Sequence, residues 1–504
     1  MKIWKWLVMM ALVFGSLSVT PAMAAAKNEV KIARYGDIQT LDPAYLTAVA
    51  REFTIDNCIY NGLVKYDEGS WKVVPDLATS WDISPDGKEI TFHLRKGVQF
   101  QKGFGEMTAE DVKFSVERII NPKNKSPEKP NMVGVKGTEV VDKYTVKIIL
   151  DSPNSRLLIS TLPMNAGFIV SKKAVEKMGR KKFAFNPVGT GPYEFVSWDP
   201  GKKVVLKSFN SYWGEKPEIK KVVFVPIPNE TTCETALKTG EIDVGRISLI
   251  NLKSFEKNPA LQVVTKPDLK YWWSGYNFSK APTDNIKLRK ALRASIDVSQ
   301  ILQAAFYGVA PRARTMVSPG VLGYWKDAPM YRPDLAKARE LLKEGGKPDG
   351  FKATIQVYND ITQTIAEVAK ADAAKVGIDL EIVRHEPGAF NKANQKGTYN
   401  LFIDTWSSAM DAGYTMGWFI KGATWNVTHW ENEEFDRLLT EARKEMDPAK
   451  RAPLYQKAQE IMDQQCFAIW LTHGVRAFAA DKDLNLGKVY PNGRLAPWTM
   501  NFNT

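Results

Sequence analysis

Aromatic side chains are dense in two separate stretches of the sequence. These residues are Tyr271, Trp272 and Trp273 in the first stretch, and Trp406, Trp418, Phe419, Trp425 and Trp430 in the second. Flat aromatic faces bind sugars, planar ligands and cations. The same rings could instead pack in a hydrophobic core. We expect Trp273, Trp406 and Trp425, together with Tyr271, to line a ligand-binding site.

One basic residue is placed where a ligand would need it. Arg384 and His385 follow a strand predicted over Ile378 to Val383. Sheets of α/β proteins place ligands at the carboxyl ends of their parallel strands. A guanidinium can hold a carboxylate with two hydrogen bonds, so Arg384 is a candidate ligand-binding residue. The alternative is an ordinary surface salt bridge.

Metal and thiol chemistry find little support in the sequence. The histidines are His93, His385, His429 and His473, and the cysteines are Cys58, Cys233 and Cys466. No histidine pair has the spacing of a zinc site, and no cysteine pair has C-x-x-C spacing. We predict no metal site in the protein itself, although a metal could still arrive bound to an organic chelator. One disulfide is permitted in an oxidising compartment, and the sequence does not choose its pair.

Patterns typical of catalysis are also missing. There is no G-x-S-x-G, no H-E-x-x-H and no Cys/His nucleophile pattern. Gly189-Thr190-Gly191 lacks the Lys-Ser/Thr of a P-loop and the third glycine of a dinucleotide fingerprint. We therefore predict no catalytic residue and no cofactor. Two carboxylates that meet only in the folded chain leave no local pattern in a sequence, so a hydrolase stays open as an alternative.

The first 24 residues have the pattern of a secretory signal peptide. Lys2 and Lys5 precede an apolar run from Trp6 to about Leu17, and Ala22-Met23-Ala24 offers a cleavage site. The run is shorter than the roughly 20 residues that span a bilayer. We expect a soluble, exported protein in a bacterial periplasm. Removing the signal leaves 504 − 24 = 480 residues, which predicts two or more domains.

The mature chain is predicted to be basic. The formal charge of +13 falls to +11 when the two lysines of the signal are removed (13 − 2 = 11). Such a charge can attract anionic ligands, or it can simply be a solvated surface. No clustered basic block accompanies it, so we predict no nucleic-acid partner.

Local patterns indicate both strands and helices. Trp81 to Ser84 and Ile90 to Leu94 are predicted to be the arms of a hairpin, because Ser84-Pro85-Asp86-Gly87 has turn chemistry. Thr108 and Asp111 predict the capping box of a helix. Beyond Tyr271, strands and helices alternate, which predicts a mainly parallel α/β sheet.

Four motifs follow one another between Pro75 and Arg118. They read P-x-L-A-x-S-W, S-x-D-G, T-F-x-L-R-x-G-V-x-F and T-A-x-D-V-x-x-S-x-x-R. In this order the chain resembles the solute-binding proteins of family 5, which serve the dipeptide, oligopeptide and nickel ABC uptake systems. Phe100-Gln101-Lys102-Gly103 departs from the F-H-D-G that the family often shows. The resemblance covers essentially the whole mature chain.

This resemblance implies an α/β fold of two lobes that close on each other like a clamp. The fold would be a class II, cluster C-like periplasmic-binding-protein clamp with an extra subdomain inserted in lobe I. The implied boundaries are 1–24 for the signal peptide, 25–68 for the first part of lobe I, 69–185 for the inserted subdomain, 186–272 for the second part of lobe I, 273–477 for lobe II and 478–504 for a return to lobe I.

The resemblance also implies a ligand site at Thr405 to Asp411. In the family a G-W-x-x-D-like segment lines the cleft, and its strand can pair with an extended peptide. An Asp three residues after the Trp meets the ammonium group of a peptide. Here that position is Ala409, and nickel-type members likewise lack this Asp but keep the Trp and a later Asp. Trp406 and Asp411 match by position, and a turn or cap role is the alternative for Asp411.

The resulting hypothesis is a non-enzymatic, monomeric binding component of an ABC importer. It would capture a peptide or peptide-like solute and deliver it to a permease and ATPase complex at the inner membrane. An oligosaccharide or a chelated metal is the alternative solute. A periplasmic hydrolase, and a sensor or chaperone-like role, are the alternatives outside this class.

Overall fold

The computed structural model describes residues 27–46, 49–68 and 70–503. The predicted signal peptide at 1–24 therefore lies outside the described residues. Within the described ranges, no helix combines the length and the hydrophobicity that crossing a membrane requires.

The fold is built on one ten-stranded sheet with helices around it. In chain order the strands are β1 (Glu29–Arg34), β2 (Val64–Tyr66), β3 (Val73–Pro75), β4 (Ala78–Ile83), β5 (Glu89–Leu94), β6 (Val135–Asp142), β7 (Thr145–Leu150), β8 (Tyr193–Asp199), β9 (Lys203–Ser208), β10 (Lys221–Pro226), β11 (Val244–Ile247), β12 (Leu261–Tyr276), β13 (Lys352–Val357), β14 (Asp379–Arg384), β15 (Leu401–Ser407), β16 (Ala468–Asp481), β17 (Leu484–Asn485) and β18 (Asn501–Phe502). The large sheet has the order β14-β13-β15-β12-β16-β11-β1-β10-β9-β8.

Helices occupy many of the connections between the strands. They are α1 (Val49–Ile59), α2 (Ala109–Ile120), α3 (Lys172–Phe183), α4 (Glu230–Lys238), α5 (Leu252–Glu256), α6 (Ile286–Ser295), α7 (Val298–Phe306), α8 (Leu335–Glu344), α9 (Asp360–Ala374), α10 (Pro387–Lys396), α11 (Ala412–Met416), α12 (Glu433–Lys444) and α13 (Pro448–Gln464).

Two long antiparallel strands, β12 and β16, link the two ends of the large sheet. One end of β12 pairs with β15 from Lys270 to Tyr276, and the opposite end of the β12–β16 ribbon pairs with β11 through Ala477 to Ala480. The pairing shifts register between Pro267 and Tyr271, where three residues of β12 face one residue of β16. Such a bulge bends a strand locally. The predicted lobe boundaries at 272/273 and 477/478 fall inside these two strands, and they stay predictions.

The predicted hairpin and the helix that follows it are confirmed. β4 and β5 pair antiparallel in a four-stranded sheet of order β4-β5-β7-β6. Thr108 and Asp111 form the predicted capping box at the start of α2, with the Thr108 amide donating to the Asp111 carboxylate at 3.0 Å. These bonds satisfy amides that the first helical turn leaves without partners.

The sheet beyond residue 271 is mixed, so the prediction of a mainly parallel sheet is only partly right. β13 is parallel to both β14 and β15, as the strand–helix alternation predicted. β12 is antiparallel to β15 and β16. The difference arises because β12 and β16 are the long crossing strands, whose direction is set by their pairing with each other.

The segment from Gly189 to Gly191 is tightly packed. Gly189 and Gly191 lie against the backbone of Ile59, and a Cβ at Gly189 would stand 2.1 Å from the Ile59 carbonyl oxygen. This G-x-G segment is therefore a close-packing turn. The three cysteines are buried and free of disulfides.

A buried ion pair joins the N-terminal region to helix α2. Arg118 donates from both terminal nitrogens to Asp42, at 2.9 and 2.7 Å, and Asp42 has no exposed surface. Two parallel charge-assisted hydrogen bonds of this kind fix both side chains.

Candidate functional site

The candidate site begins where strand β15 ends, next to the bulge between the two crossing strands. Trp406 of β15 pairs with Tyr271 of β12, and the Ser408 amide donates to the Leu269 carbonyl at 2.6 Å. Leu269 belongs to the bulged residues of β12. The segment that the sequence singled out therefore lies directly beside the bend in the ribbon.

Trp273 lies at the centre of an aromatic cluster and has no exposed surface. Its ring contacts six others, those of Tyr271, Phe402, Trp406, Phe419, Phe467 and Trp470, at centroid distances from 4.8 to 6.3 Å. Tyr271 is equally buried and contacts Trp273 and Trp470. Both residues pack against Trp406 or its neighbours, and their direct contact with a ligand stays a prediction.

Trp406 is a half-buried member of this cluster. It stacks on Phe419 with a centroid distance of 5.4 Å and an angle of 4° between the planes, and it meets half-buried Trp418 edge-on at 5.0 Å. Its indole N–H donates to Asp404 at 2.6 Å. The ring orientation is therefore fixed by packing and by a hydrogen bond, which leaves a preorganised aromatic edge for a solute.

Asp404 is a buried carboxylate in contact with Trp406. It accepts hydrogen bonds from the Trp406 indole and from the Thr405 amide, at 2.6 and 2.7 Å, and interacts with the Tyr358 hydroxyl. Burial nevertheless raises the pKa of Asp404 to about 6, because no cation among the described residues compensates the loss of water. The orientation of the Trp406 ring therefore depends on a carboxyl group that changes charge in mildly acidic solution.

Asp411 has the capping role that the sequence allowed as its alternative. It caps helix α11 by accepting from the Gly413 amide at 2.9 Å and from the Tyr455 hydroxyl at 2.8 Å. Its second oxygen lies 3.6 Å from the Nε of Arg451, whose side chain is completely buried. Burial raises the pKa of Asp411, and Arg451 opposes that shift. Ligand contact by Asp411 stays a prediction.

The other predicted residues lie in different surroundings. Ala409 is half-buried, and its amide lies 3.3 Å from the Thr415 hydroxyl. Trp425 is 48% exposed. Arg384 is exposed and pairs with Asp360 at 2.7 Å, which is the surface salt bridge named as its alternative. The structure brings Tyr271, Trp273 and Trp406 together; the roles of Ala409, Trp425 and Arg384 in binding stay predictions.

A cavity of about 100 Å³ adjoins Asp411 and Trp418. Its remaining walls include Arg156, from the segment after β7, and Arg443, near the end of α12. Sequence reasoning missed these two arginines, because nothing in their local patterns brings residues so far apart in the chain to one cavity. Among the described residues, no group of three or more His, Cys, Asp or Glu side chains could hold a metal ion.

The comparison with protein families decides the classification. Residues 72–427 match the model of the bacterial extracellular solute-binding proteins, family 5. The chain belongs to this family. The match covers most of the chain and confirms the resemblance drawn from the motifs between Pro75 and Arg118.

Individual relatives agree with this membership. The chain is 29% identical over 517 residues to the dipeptide-binding protein of Escherichia coli (strain K12), covering 95% of this chain and 96% of that protein. It is 32% identical over 478 residues to the glutathione-binding protein GsiB of Salmonella choleraesuis (strain SC-B67), covering 91% of each. The solved structure of HbpA2 from Haemophilus parasuis superposes with a TM-score of 0.87 at 29% identity, covering 95% of this chain and 100% of that one. The predicted two-lobed α/β fold class is thereby confirmed.

Proposed function

We propose that this family 5 protein is the non-enzymatic, monomeric binding component of an ABC importer, and that its solute is a peptide. It would work in the periplasm and hand the closed, loaded form to the permease and ATPase complex. The alternation between an open and a closed form would bend the β12–β16 ribbon at the bulge.

One observation carries the proposal: the preorganised aromatic wall at Trp406 ends a strand that adjoins the bulge of the ribbon. The Ser408–Leu269 hydrogen bond ties the wall directly to the bulged strand. A solute bound here would contact groups whose positions depend on the bend. Contacts that exist only in the closed form are what allows a ligand to stabilise it. The names of the dipeptide-binding and glutathione-binding relatives support a peptide as the solute.

The first test is direct binding to the purified protein. Native mass spectrometry of freshly purified protein should show a bound small molecule, and calorimetry with dipeptides and glutathione should give one site per chain. Small-angle scattering should show a more compact particle when solute is added. The recovered solute should have an unchanged mass. A chemically altered solute would instead support the hydrolase.

A tryptophan substitution locates the site. Trp406→Ala should weaken peptide binding by about tenfold, since that corresponds to about 1.4 kcal/mol and a buried aromatic contact has this order of strength. Trp81→Ala is the matched control, because Trp81 is also half-buried and packs on Phe92 in the separate four-stranded sheet. Equal losses in both variants would contradict the proposed site.

The same binding panel includes the alternative solutes. An oligosaccharide would also use the half-buried faces of Trp406 and Trp418, and a nickel–histidine chelate would bring its own metal ligands. Binding of either, without binding of any peptide, would replace the peptide in the proposal and leave the importer role in place.

A further inference from the structure

The cavity beside Asp411 is bounded by two parts of the chain that lie far apart in sequence. Arg156 lies on the segment after β7, and Tyr414, Trp418, Arg443 and Tyr455 lie on or beside the helices between 412 and 464. The volume of about 100 Å³ is several times what a single water molecule needs. The cavity can therefore admit a small chemical group of a solute.

Two cationic side chains face this cavity without a matching anion. Among the described residues, no carboxylate lies within 4.0 Å of the guanidinium of Arg156 or of Arg443, whereas many other arginines have such a partner. Arg156 is half-buried and lies over the Tyr414 ring, 4.4 Å from its centroid. Burial lowers the pKa of Arg156, Tyr414 and Asp411 oppose that shift, and the nearby charge of exposed Arg443 adds to it. Two like charges therefore converge on one partly enclosed space.

Among the described residues, Asp411 is the one carboxylate that lines the cavity, and it is already engaged. Asp411 accepts from Tyr455 and from the Gly413 amide, and its other oxygen faces the buried Arg451 at 3.6 Å. Its charge is thus balanced by Arg451, and the charges of Arg156 and Arg443 remain in excess. An anion would remove this repulsion and gain charge-assisted hydrogen bonds.

The two sides of the cavity are held together without such an anion. The Ser155 hydroxyl lies within hydrogen-bond distance of the carbonyl oxygens of Ala442 and Arg443, at 3.4 and 3.1 Å. This contact positions Arg156 beside the end of α12. The cavity is therefore a preformed space whose unbalanced charge comes from side chains on both of its walls.

We infer that this cavity is a carboxylate-binding subsite, in which Arg156 and Arg443 hold one carboxylate group of the solute from opposite walls. The inference rests on the proposed function and specifies it: the solute would carry a free carboxylate, as the C-terminus of a peptide does. Because the two arginines come from different parts of the fold, the bound carboxylate joins them. Solutes whose carboxylate is blocked would bind without this link.

The test compares an acid with its amide. Binding of L-alanyl-L-leucine, L-alanyl-L-leucinamide and inorganic phosphate is measured by calorimetry on the wild-type protein and on Arg156→Met, Arg443→Met and Arg437→Met. Arg437 is the control because it lies on the same helix, is exposed, and pairs with Glu434 and Glu441. Circular dichroism checks that each variant is folded.

The acid should bind the wild-type protein about 10- to 100-fold more tightly than the amide, which converts to about 1.4–2.8 kcal/mol and is the order of a hydrogen bond to a charged group. Arg156→Met and Arg443→Met should each remove most of this preference, and Arg437→Met should keep it. Phosphate should compete with the acid only weakly, and tight phosphate binding lost in Arg156→Met would identify the subsite as one for phosphate instead.

Two failures can be told apart. If the wild-type protein binds acid and amide equally, or if Arg156→Met keeps the preference, the carboxylate subsite is overturned while peptide binding stands. If neither these probes nor glutathione binds the wild-type protein, the proposed function fails and the subsite fails with it.

Discussion

Two arginines of this protein lie in contrasting surroundings. Arg118 is buried against Asp42 and donates two short hydrogen bonds to it. Arg156 borders a cavity, lies over an aromatic ring and has no carboxylate within 4.0 Å among the residues described. The first pair is complete within the folded chain. The second side chain lies near Tyr414 and Asp411 but forms no ion pair within the described part of the chain.

This contrast predicts that substitutions at the two arginines have different effects on stability and on solute binding. A buried charge without its partner is costly, so removing one member of the Arg118–Asp42 pair should destabilise the fold. Removing a cation from a cluster of like charges relieves repulsion and should cost the fold little. Affinity for the solute should fall when Arg156 is replaced and should change little when Arg118 is replaced.

The largest expected effect is at the complete pair. Arg118→Met leaves the Asp42 carboxylate buried without a cation, and it should lower the free energy of unfolding by about 3–5 kcal/mol. Urea unfolding followed by circular dichroism measures this. Arg118→Met combined with Asp42→Asn should recover part of the loss. A loss below about 1 kcal/mol for the single variant would contradict the contrast.

A smaller effect is expected at Asp404, a buried carboxylate that has hydrogen bonds but no cationic partner in the described part of the chain. Its pKa is raised to about 6 in the folded protein, against about 3.9 in an unfolded chain. The folded state therefore binds more protons between about pH 4 and pH 6, and its stability falls as the pH rises through that window.

Asp404→Asn should remove this loss. The variant and the wild-type protein should have similar stability near pH 4, and the variant should be more stable at pH 7 by about 1–3 kcal/mol. Urea unfolding over the pH range measures the difference. Asp349→Asn, at an exposed position, is the control and should follow the wild-type curve. A variant that is less stable than wild type at pH 7 would rule out an uncompensated charge.

The smallest effect on stability is expected at Arg156. Arg156→Met should change the free energy of unfolding by less than about 1 kcal/mol, since the lost contact with Tyr414 is offset by relief from Arg443. The same urea titration compares it with Arg118→Met. A loss as large as that at Arg118 would mean that Arg156 is a structural residue whose partner lies within the fold.

Local features of the fold could be predicted because their causes are local. The capping box of Thr108 and Asp111 and the hairpin around Ser84 to Gly87 depend on residues within a few positions of each other. Gly240 follows α4 with a positive φ of 71°, the left-handed conformation that favours glycine just beyond the end of a helix. The mixed sheet was missed because the direction of β12 depends on its pairing with β16, about 200 residues away.

The candidate site was only partly predictable for the same reason. Alternation along β12 shows that Trp272 and Trp273 point to opposite faces, but it does not show which face is filled by other rings. In the folded chain Trp273 is enclosed and Trp272 packs on Phe306. No local sequence pattern marks Arg156 and Arg443, because only the folded chain brings them to the same cavity.

Strand β14 is an edge strand with charged, exposed side chains. It forms one outer edge of the ten-stranded sheet, and its Asp379, Glu381 and Arg384 side chains are exposed. An edge strand presents free backbone groups to any extended polypeptide, and charged side chains discourage such pairing because they would lose water. We therefore expect Arg384 and its acidic neighbours to discourage pairing between the edges of two copies, and neutralising all three should show first as precipitation in concentrated solution.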